Sequence, residues 1–516
     1  MPIVGSILKK ALELKSKLPG ERKKILPHKE QLKQLKKLLR KGQITAFGEY
    51  FRFDEILKSK NLIEEFQKRV PVYDYTKMHN DWWYRSLSGE SFVSWPGKSK
   101  HFALSSGTSE ASSKYIPVTP DMIKAIKKTS IRQLTSLVHY DLPKEFFEKG
   151  ILMLGGSTHL NFNGTYYEGD LSGITTGNIP FWFQHHYKPG KRLSKERNWS
   201  TKLNEIVAKA PDWDIGAIVG VPAWLQILME KIIEKYNLNN IHDIWPNLTI
   251  FCHGGVSFTP YINSFEKLIG RPLIYIETYL ASEGFIAYQN KSDKTGTMQM
   301  VLDNGLFYEF VPFTNENFDS EGNIIENPEA YTIDQVKENI DYALLLSSVA
   351  GAWRYLIGDV IRFVSVEEYK IHIVGRTKHY LSLCGEHLSV ENMNRAIEMF
   401  ENYFNVGVRE FTVAGVPYDS MFAHQWWLGT NDPVDASLAA EKIDEYLKLL
   451  NDDYRTERLE AIKEVRVNII PISVFYDFMK AQGKEGGQNK FPRVLKGKKI
   501  SEWSEYVEQY EKSTEQ

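Results

Sequence analysis

Apolar residues recur along this chain in two rhythms: short unbroken runs that end in glycine or polar residues, and longer segments whose apolar positions repeat every three or four residues. Residues 151–154 (Ile-Leu-Met-Leu) run into Gly155-Gly156. Residues 215–220 run towards Pro222, which suits the first turn of a helix over 223–236. Residues 248–252 end at His253-Gly254-Gly255 ahead of a helix over 261–268, and 273–276 run into Glu277-Thr278-Tyr279. An apolar run that ends in a loop and is followed by an amphipathic segment predicts an α/β unit: a mostly parallel sheet flanked by helices, with ligand-binding loops at the strand carboxyl ends. Strand-like stretches at 305–313 and 342–348 continue the sheet, and the polar, turn-rich 314–327 predicts a hairpin or surface loop between them.

The two ends of the chain have other textures. Over residues 1–48 lysines alternate with leucines at helical spacing, and Pro27 separates two predicted helices. The pattern fits helices packed by their leucine faces with lysines in water better than it fits a membrane-surface helix. Residues 51–95 carry seven or more aromatics and predict core, 121–138 a helix, and 361–364 with 370–374 a hairpin. Beyond that, a helix over 390–404, strands over 410–416 and 425–429, a helix over 435–450 and a strand over 465–470 predict a small α+β domain. The predicted organisation is therefore a large domain over 1–377, led by the lysine-rich helices of 1–48, and a smaller one over 378–516, with Lys378 at the boundary.

Composition narrows this only slightly. A chain of 516 residues exceeds what one hydrophobic core usually serves, in keeping with two domains. A net charge of -1 supplies no global field for nucleic acid or an anionic membrane, so any polyanion site must be local. No apolar run approaches the roughly 18 residues of a spanning helix, and residues 1–10 lack a signal-peptide core, so a cytoplasmic protein without stable membrane insertion is expected. Cys252 and Cys384 are far apart, which suggests two buried thiols rather than a disulfide framework or a zinc site.

Residues 104–114, Leu-Ser-Ser-Gly-Thr-Ser-Glu-Ala-Ser-Ser-Lys, concentrate hydroxyls, one glycine and a terminal lysine with nothing apolar to bury. Phosphate oxygens need several short donors converging on one point, and such a run supplies them; a solvated serine-rich turn is the alternative. A strand-like stretch over 115–118 follows, so the order is not that of a P-loop, in which the loop opens a helix.

Five further stretches follow in order: His253-Gly254-Gly255, Tyr279-Leu280-Ala281-Ser282-Glu283, Tyr355-Leu356-Ile357-Gly358-Asp359, Gly375-Arg376-Thr377-Lys378 and, within 486–493, Gln488-Asn489-Lys490-Phe491-Pro492-Arg493. This order resembles the adenylate-forming superfamily. With residues 307–312 (Phe-Tyr-Glu-Phe-Val-Pro) it is similar to the GH-three branch, the acyl-acid amido synthetases first known from auxin-responsive plant genes, here of the bacterial type. The resemblance runs from about residue 45 onward and implies that fold: a large α/β domain and a smaller, mobile C-terminal α+β domain. It implies that Ser105, Ser106, Gly107, Thr108, Ser109 and Lys114 hold the β- and γ-phosphates of ATP, that Gly254, Gly255 and Val256 form a flat wall against adenine, and that Tyr279 stacks on the base. Ser282 would bond the α-phosphate, Glu283 would hold Mg²⁺, Asp359 with Arg376 would take the ribose hydroxyls, Lys490 would act in adenylation, and Lys378 would be the hinge. Two positions depart from the pattern: Glu110 puts a negative charge in the phosphate loop, which also lacks its usual second glycine, and Leu356 replaces a frequent arginine, leaving Arg354 to supply that contact if it is made.

The reaction implied is an ATP- and Mg²⁺-dependent ligation in which a small carboxylic acid is activated as acyl-AMP and transferred to an amine, an amino acid by the resemblance. Transfer to a thiol such as coenzyme A, and a nucleotide-binding protein with little catalysis, remain open. The acyl pocket falls within 158–224, with Thr175, Thr176, Trp182 and Trp224 as its candidates; its aromatics suit an aryl or bulky apolar acid, and equally suit ordinary core packing.

Overall fold

The structure, a computed structural model, describes residues 26–105, 114–140, 142–177, 184–255, 258, 261–291, 296–319, 322–378, 380–381, 383–384, 386, 388–408, 410–482 and 491–514. Among these, contacts divide the chain into two compact units, the first ending at Thr377 and the second starting at Lys378.

The first unit opens on the helix Pro27–Gly42. Pro27 occupies its first turn, where a missing N–H costs nothing, and the last turn carries Arg40 and Lys41 to offset the helix dipole. Leu35, Leu38 and Leu39 are buried while Lys33 and Lys37 face water, as the leucine–lysine rhythm predicts. Those leucines meet an aromatic core of Phe47, Phe53, Phe66, Trp82 and Trp353, in which the Phe47 and Trp353 rings stack at 5.8 Å. Pro27 therefore begins the second of the two expected helices, and the first lies outside the described residues.

Fifteen strands are described in this unit: β1 His101–Ser105, β2 Lys114–Pro117, β3 Gly150–Leu154, β4 Asn161–Phe162, β5 Tyr167–Gly169, β6 Tyr187–Lys188, β7 Ile215–Gly220, β8 Ile250–Gly254, β9 Ile274–Ala281, β10 Gly284–Tyr288, β11 Met298–Met300, β12 Leu306–Pro312, β13 Asp341–Ser348, β14 Tyr355–Ser365 and β15 Lys370–Arg376. Eleven of them form one mixed sheet in the order β12-β13-β14-β15-β11-β10-β9-β8-β7-β3-β6. The predicted parallel arrangement holds from β9 to β6. From β9 to β12 every pairing is antiparallel, and no helix is described between β9 and β15 that could serve as a crossover. β1 and β2 form a separate small sheet with β5 and β4.

The antiparallel half is strongly curled. β9 and β14 stand four positions apart, roughly 19 Å in a flat sheet at about 4.8 Å per strand, yet Tyr279 on β9 donates a 2.5 Å hydrogen bond to Asp359 on β14. Side chains of β9 to β15, among them Tyr279, Ile286, Met298, Tyr308, Leu344, Ile361 and Ile371, share one enclosed core.

In the second unit β16 Tyr380–Leu381 and β17 Leu388–Ser389 form a short hairpin, and β18 Glu410–Tyr418, β19 Met421–Gly429, β20 Ile462–Ile470 and β21 Val494–Leu495 form a sheet ordered β20-β19-β18-β21. The helices Val390–Phe404, Ala436–Leu450, Ile472–Ala481 and Lys498–Thr514 complete an α+β arrangement. No helix among the described residues is long and apolar enough to cross a membrane. Cys384 is buried, as expected, but Cys252 is only half-buried.

Candidate active site

Local backbone chemistry sets where each candidate side chain stands. β14 carries a bulge opposite Ala343–Leu345, and within it Gly358 adopts φ +92°, a conformation that favours glycine. The bulge re-aims the following residue, Asp359, towards β9. Arg376 is the direct cross-strand partner of Asp359 on β15 and donates from Nε to Oδ1 at 2.7 Å, while the Tyr279 hydroxyl takes Oδ2. Two of the carboxylate's four lone-pair sites are thus filled, and the other two have no partner among the described residues. The Tyr279 ring is only 6% exposed and packs in the curled core, so this side chain orients Asp359 rather than presenting a bare face for stacking. Burial, reinforced by the Asp359 charge, pushes its hydroxyl well above the ordinary tyrosine range.

Ser282 and Glu283 form the two-residue turn between β9 and β10, where a helix would follow if the strand–loop–helix pattern continued. Glu283 is buried at 6% exposure, and desolvation raises its carboxyl pKa; the Lys114 charge opposes the rise and the Asp359 charge adds to it. Lys114, at the foot of β2, also lies over the Tyr75 ring at 5.6 Å. Ser105 pairs with Lys114 in register, so the phosphate-loop candidates Ser106, Gly107, Thr108 and Ser109 fall between two paired strand ends. Those four lie outside the described residues, as do Glu110, Val256, Trp182 and Lys490. The site thus gathers Lys114 from β2, Tyr279 and Glu283 from β9 and the turn after it, and Asp359 and Arg376 from the paired strands β14 and β15, all in one unit.

The paired glycines after β8 have separate reasons. A Cβ on Gly254 would stand 2.2 Å from the Thr278 carbonyl oxygen on β9, and Gly255 has φ +86°. Any flat wall they offer is a consequence of how closely β8 and β9 approach.

Three residues that the sequence reading passed over join the site. Tyr355, the first residue of the Tyr-x-x-Gly-Asp stretch, is fully buried with its hydroxyl beside the Glu283 carboxylate, though not in hydrogen-bonding geometry. His253 stacks on Phe258 at 4.8 Å and leaves Nδ1 buried without a partner among the described residues; burial lowers its pKa to about 4. Glu277 is its register neighbour on β9, and burial alone pushes this carboxyl up to about 7. The available signal was a solitary acid at the end of an apolar strand.

The Glu277 shift gives a pH prediction. The folded state holds this proton more tightly than the unfolded chain, so stability falls as pH rises from the unfolded value of 4.5 through about 7. Allowing for partial exposure, the loss is about 2 kcal/mol. Glu277→Gln is therefore expected to melt above the parent at pH 8 and level with it at pH 4. Parallel pH profiles for the two proteins would show that Glu277 titrates normally.

Of the acyl-pocket candidates, Thr176 lines a cavity with Thr158 and Tyr187. The Thr175 hydroxyl is bonded back to the Leu171 carbonyl at 2.8 Å, and Trp224 packs edge-on against Trp199 at 4.6 Å. Arg354 corrects one expectation: it cannot stand in for the arginine missing at Leu356. Its guanidinium is buried on Glu309, with Nε at 3.0 and 3.1 Å from the two carboxylate oxygens, and also donates to the carbonyls of Gln67 and Val70.

Among the described residues no group of three or more His, Cys, Asp or Glu could hold a metal ion. Glu283 nevertheless suits a divalent cation that takes its remaining ligands from a nucleotide: it is a buried carboxylate destabilised by desolvation and by a second carboxylate, which a bound cation would relieve.

The GH3 family N-terminal domain matches residues 21–204 and 157–274, the GH3 family central domain 299–376, and the GH3 family C-terminal domain 391–499. An indole-3-acetic acid-amido synthetase, GH3.4 of Arabidopsis thaliana, is 24% identical over 334 residues, which cover 59% of this chain and 54% of the relative. The chain thus spans about half the length of that curated relative. GH3.2 of the same plant is 22% identical over 213 residues, 39% of this chain and 36% of its own. In fold, the chain resembles the GH3.15 acyl acid amido synthetase (TM-score 0.58, 16% identity, 97% of this chain and 96% of that one). It also resembles a 2-hydroxyisobutyryl-CoA ligase in complex with 2-HIB-AMP and CoA (TM-score 0.60, 12% identity, 95% and 93% covered).

Proposed function

The chain belongs to the GH3 family, and on that premise we propose that it is an ATP-dependent acyl acid amido synthetase. A carboxylate attacks the α-phosphate of ATP, giving acyl-AMP and pyrophosphate, and an amine, in this reading that of an amino acid, then displaces AMP. The observation that carries the proposal is the convergence of Asp359, held between Tyr279 and Arg376, with the buried Glu283 and Lys114. In this reading the two free lone pairs of Asp359 accept the ribose hydroxyls, Ser282 donates to the α-phosphate, and Lys114 with Ser105 and the serine-rich residues after it receives the β- and γ-phosphates. Mg²⁺ on Glu283 would supply neutralisation of phosphate charge. The protein's own share is positioning and preorganised charge rather than covalent chemistry. Thr176 and its neighbours are the candidates for the acyl pocket.

Pyrophosphate release with ATP, Mg²⁺ and a panel of small carboxylic acids tests the first half-reaction, and competition between amino acids and coenzyme A for the trapped acyl group tests the second. Failure of every acid to give pyrophosphate would leave a nucleotide-binding protein, and thioester without amide would make it a thiol ligase. Asp359→Ala is expected to weaken ATP binding at least tenfold, since charge-assisted bonds to the ribose contribute about 1.5–3 kcal/mol each. Calorimetry with unchanged ATP affinity would remove Asp359 from the site.

A further inference from the structure

Lys114 stands on β2 in the small sheet, whereas Asp359 and Glu283 belong to a strand and a turn of the large one, so their mutual placement depends on what joins the two sheets. Tyr75 joins them. It opens the short helix Tyr75–Met78, two residues after Tyr73, whose backbone bonds to Arg354 and Leu356 at 3.0 and 2.7 Å and so is fastened to the start of β14, the strand of Asp359. β2 is the edge strand of its sheet, where alternate amides have no neighbouring strand to bond, and the Tyr115 amide donates instead to the Tyr75 hydroxyl at 2.9 Å.

The same ring carries the Lys114 ammonium, 5.6 Å from its centroid. A carboxylate in that place would fix the ammonium but cancel the charge that phosphate oxygens need; an aromatic face fixes it and leaves the charge in place. A lysine otherwise spreads over many rotamers, and holding it in one before the ligand arrives removes that entropy cost from binding. The ring is itself held. His79 and Trp83 lie 5.7 and 6.2 Å from it, and Trp83 packs on Tyr355 at 5.4 Å, next to Glu283. Trp83 is eight positions beyond Tyr75 and returns to the same ring because His79–Trp83 form a π-helical turn, which rotates less per residue than an α-helix. Burial pushes the Tyr75 hydroxyl up to about 12, so it stays neutral and keeps Lys114 from an opposing charge.

We propose that Tyr75 is a positioning residue for recognition of the β- and γ-phosphates of ATP: its hydroxyl fixes the start of β2 and its ring the Lys114 ammonium, and together they set Lys114 against Asp359 and Glu283. The inference rests on the reading of Lys114 as a phosphate ligand. Tyr75 acts through Lys114 and not on the nucleotide, so its loss is felt only by ligands that extend to Lys114. ATP extends that far in this reading; AMP, which has no β- or γ-phosphate, does not.

The test is calorimetry on the full-length protein with Mg²⁺ and either ATP or AMP, and with no carboxylic acid present, so that nothing turns over. The parent should bind ATP more tightly than AMP. Tyr75→Leu, which removes both ring and hydroxyl, should weaken ATP about tenfold or more and leave AMP within about twofold. Tyr75→Phe, which keeps the ring, should recover part of the loss for ATP. Because Tyr75 acts through Lys114, Tyr75→Leu/Lys114→Ala should bind ATP hardly more weakly than Lys114→Ala alone. A parent with no preference for ATP would remove Lys114 from the phosphate site, and this proposal with it. If the parent prefers ATP but Tyr75→Leu weakens ATP and AMP alike, weakens neither, or adds its full effect to that of Lys114→Ala, the role of Tyr75 is overturned and the proposed function stands.

Discussion

Glu309→Ala is expected to cost the first unit about 3–5 kcal/mol, the effect of removing one partner from a buried ion pair and leaving the other charged and unsolvated. Glu309 and Arg354 are 1% and 5% exposed. The pair is bonded beyond itself: Gln67 donates to Glu309 at 2.9 Å, and Arg354 holds the carbonyls of Gln67 and Val70 at 2.9 and 2.8 Å. Tyr73 then bonds across to Arg354 and Leu356 through the backbone. A midpoint drop of roughly 4–6 °C follows from the entropy of unfolding a unit of this size. Because the network fastens the segment before Tyr355 and Asp359, the same variant should also bind ATP less well. Glu309→Leu/Arg354→Met, which removes both charges, should recover most of the stability. Equal losses in the single and double variants would mean that side-chain volume, not the uncompensated charge, sets the cost.

The elements that local patterning governs were legible in the sequence. The helix Val390–Phe404 and the parallel strands β3, β7 and β8 follow from apolar periodicity and terminal glycines. β9 was cut short in the reading, at 276, because Glu277 and Thr278 look like the polar end of a strand; the strand continues to Ala281 and turns back on itself. Of the antiparallel half, β12, β13 and the β14–β15 hairpin were read from their apolar runs, but β10 and β11 were not, since β10 is apolar throughout and β11 has only three residues. The site was legible as a set of residue types, Asp359, Arg376, Glu283 and Tyr279, but not as a geometry. That Tyr279 holds Asp359 depends on curvature accumulated over several strands, and that Arg354 is spent on Glu309 depends on a partner 45 positions earlier in the chain. Neither relation leaves a trace in spacing. Gly358 is a partial exception: a glycine before an acid inside an apolar strand is a recognisable sign of a bulge that redirects the next side chain.

The cationic groups described at the candidate site account for only part of the charge that adenylation would develop. Arg376 is committed to Asp359, and Lys114 is the other cation acting on Glu283. In the proposed reaction negative charge grows on the α-phosphate and on the departing pyrophosphate, so a further cation is required in the transition state of the first step. Lys490, which lies outside the described residues, is our candidate by its place in Gln488-Asn489-Lys490-Phe491-Pro492-Arg493. In the second step charge develops elsewhere, on the carbonyl oxygen as the amine attacks and on the departing AMP, and no pyrophosphate is left to neutralise. A lysine that serves only the first step must belong to a unit that presents it and then withdraws it, with Lys378 as the proposed hinge. Lys490→Ala should therefore slow acyl-AMP formation by about 10²-fold or more, the scale of losing one preorganised transition-state donor, and leave amide formation from supplied acyl-AMP nearly unchanged. Lys378→Pro, which fixes φ at the junction, should do the reverse and impair mainly the second step. Single-turnover measurement of each half-reaction separates these outcomes. Equal slowing of both steps by Lys490→Ala, or of neither, would remove the lysine from the first transition state and with it the reason for a hinge at Lys378.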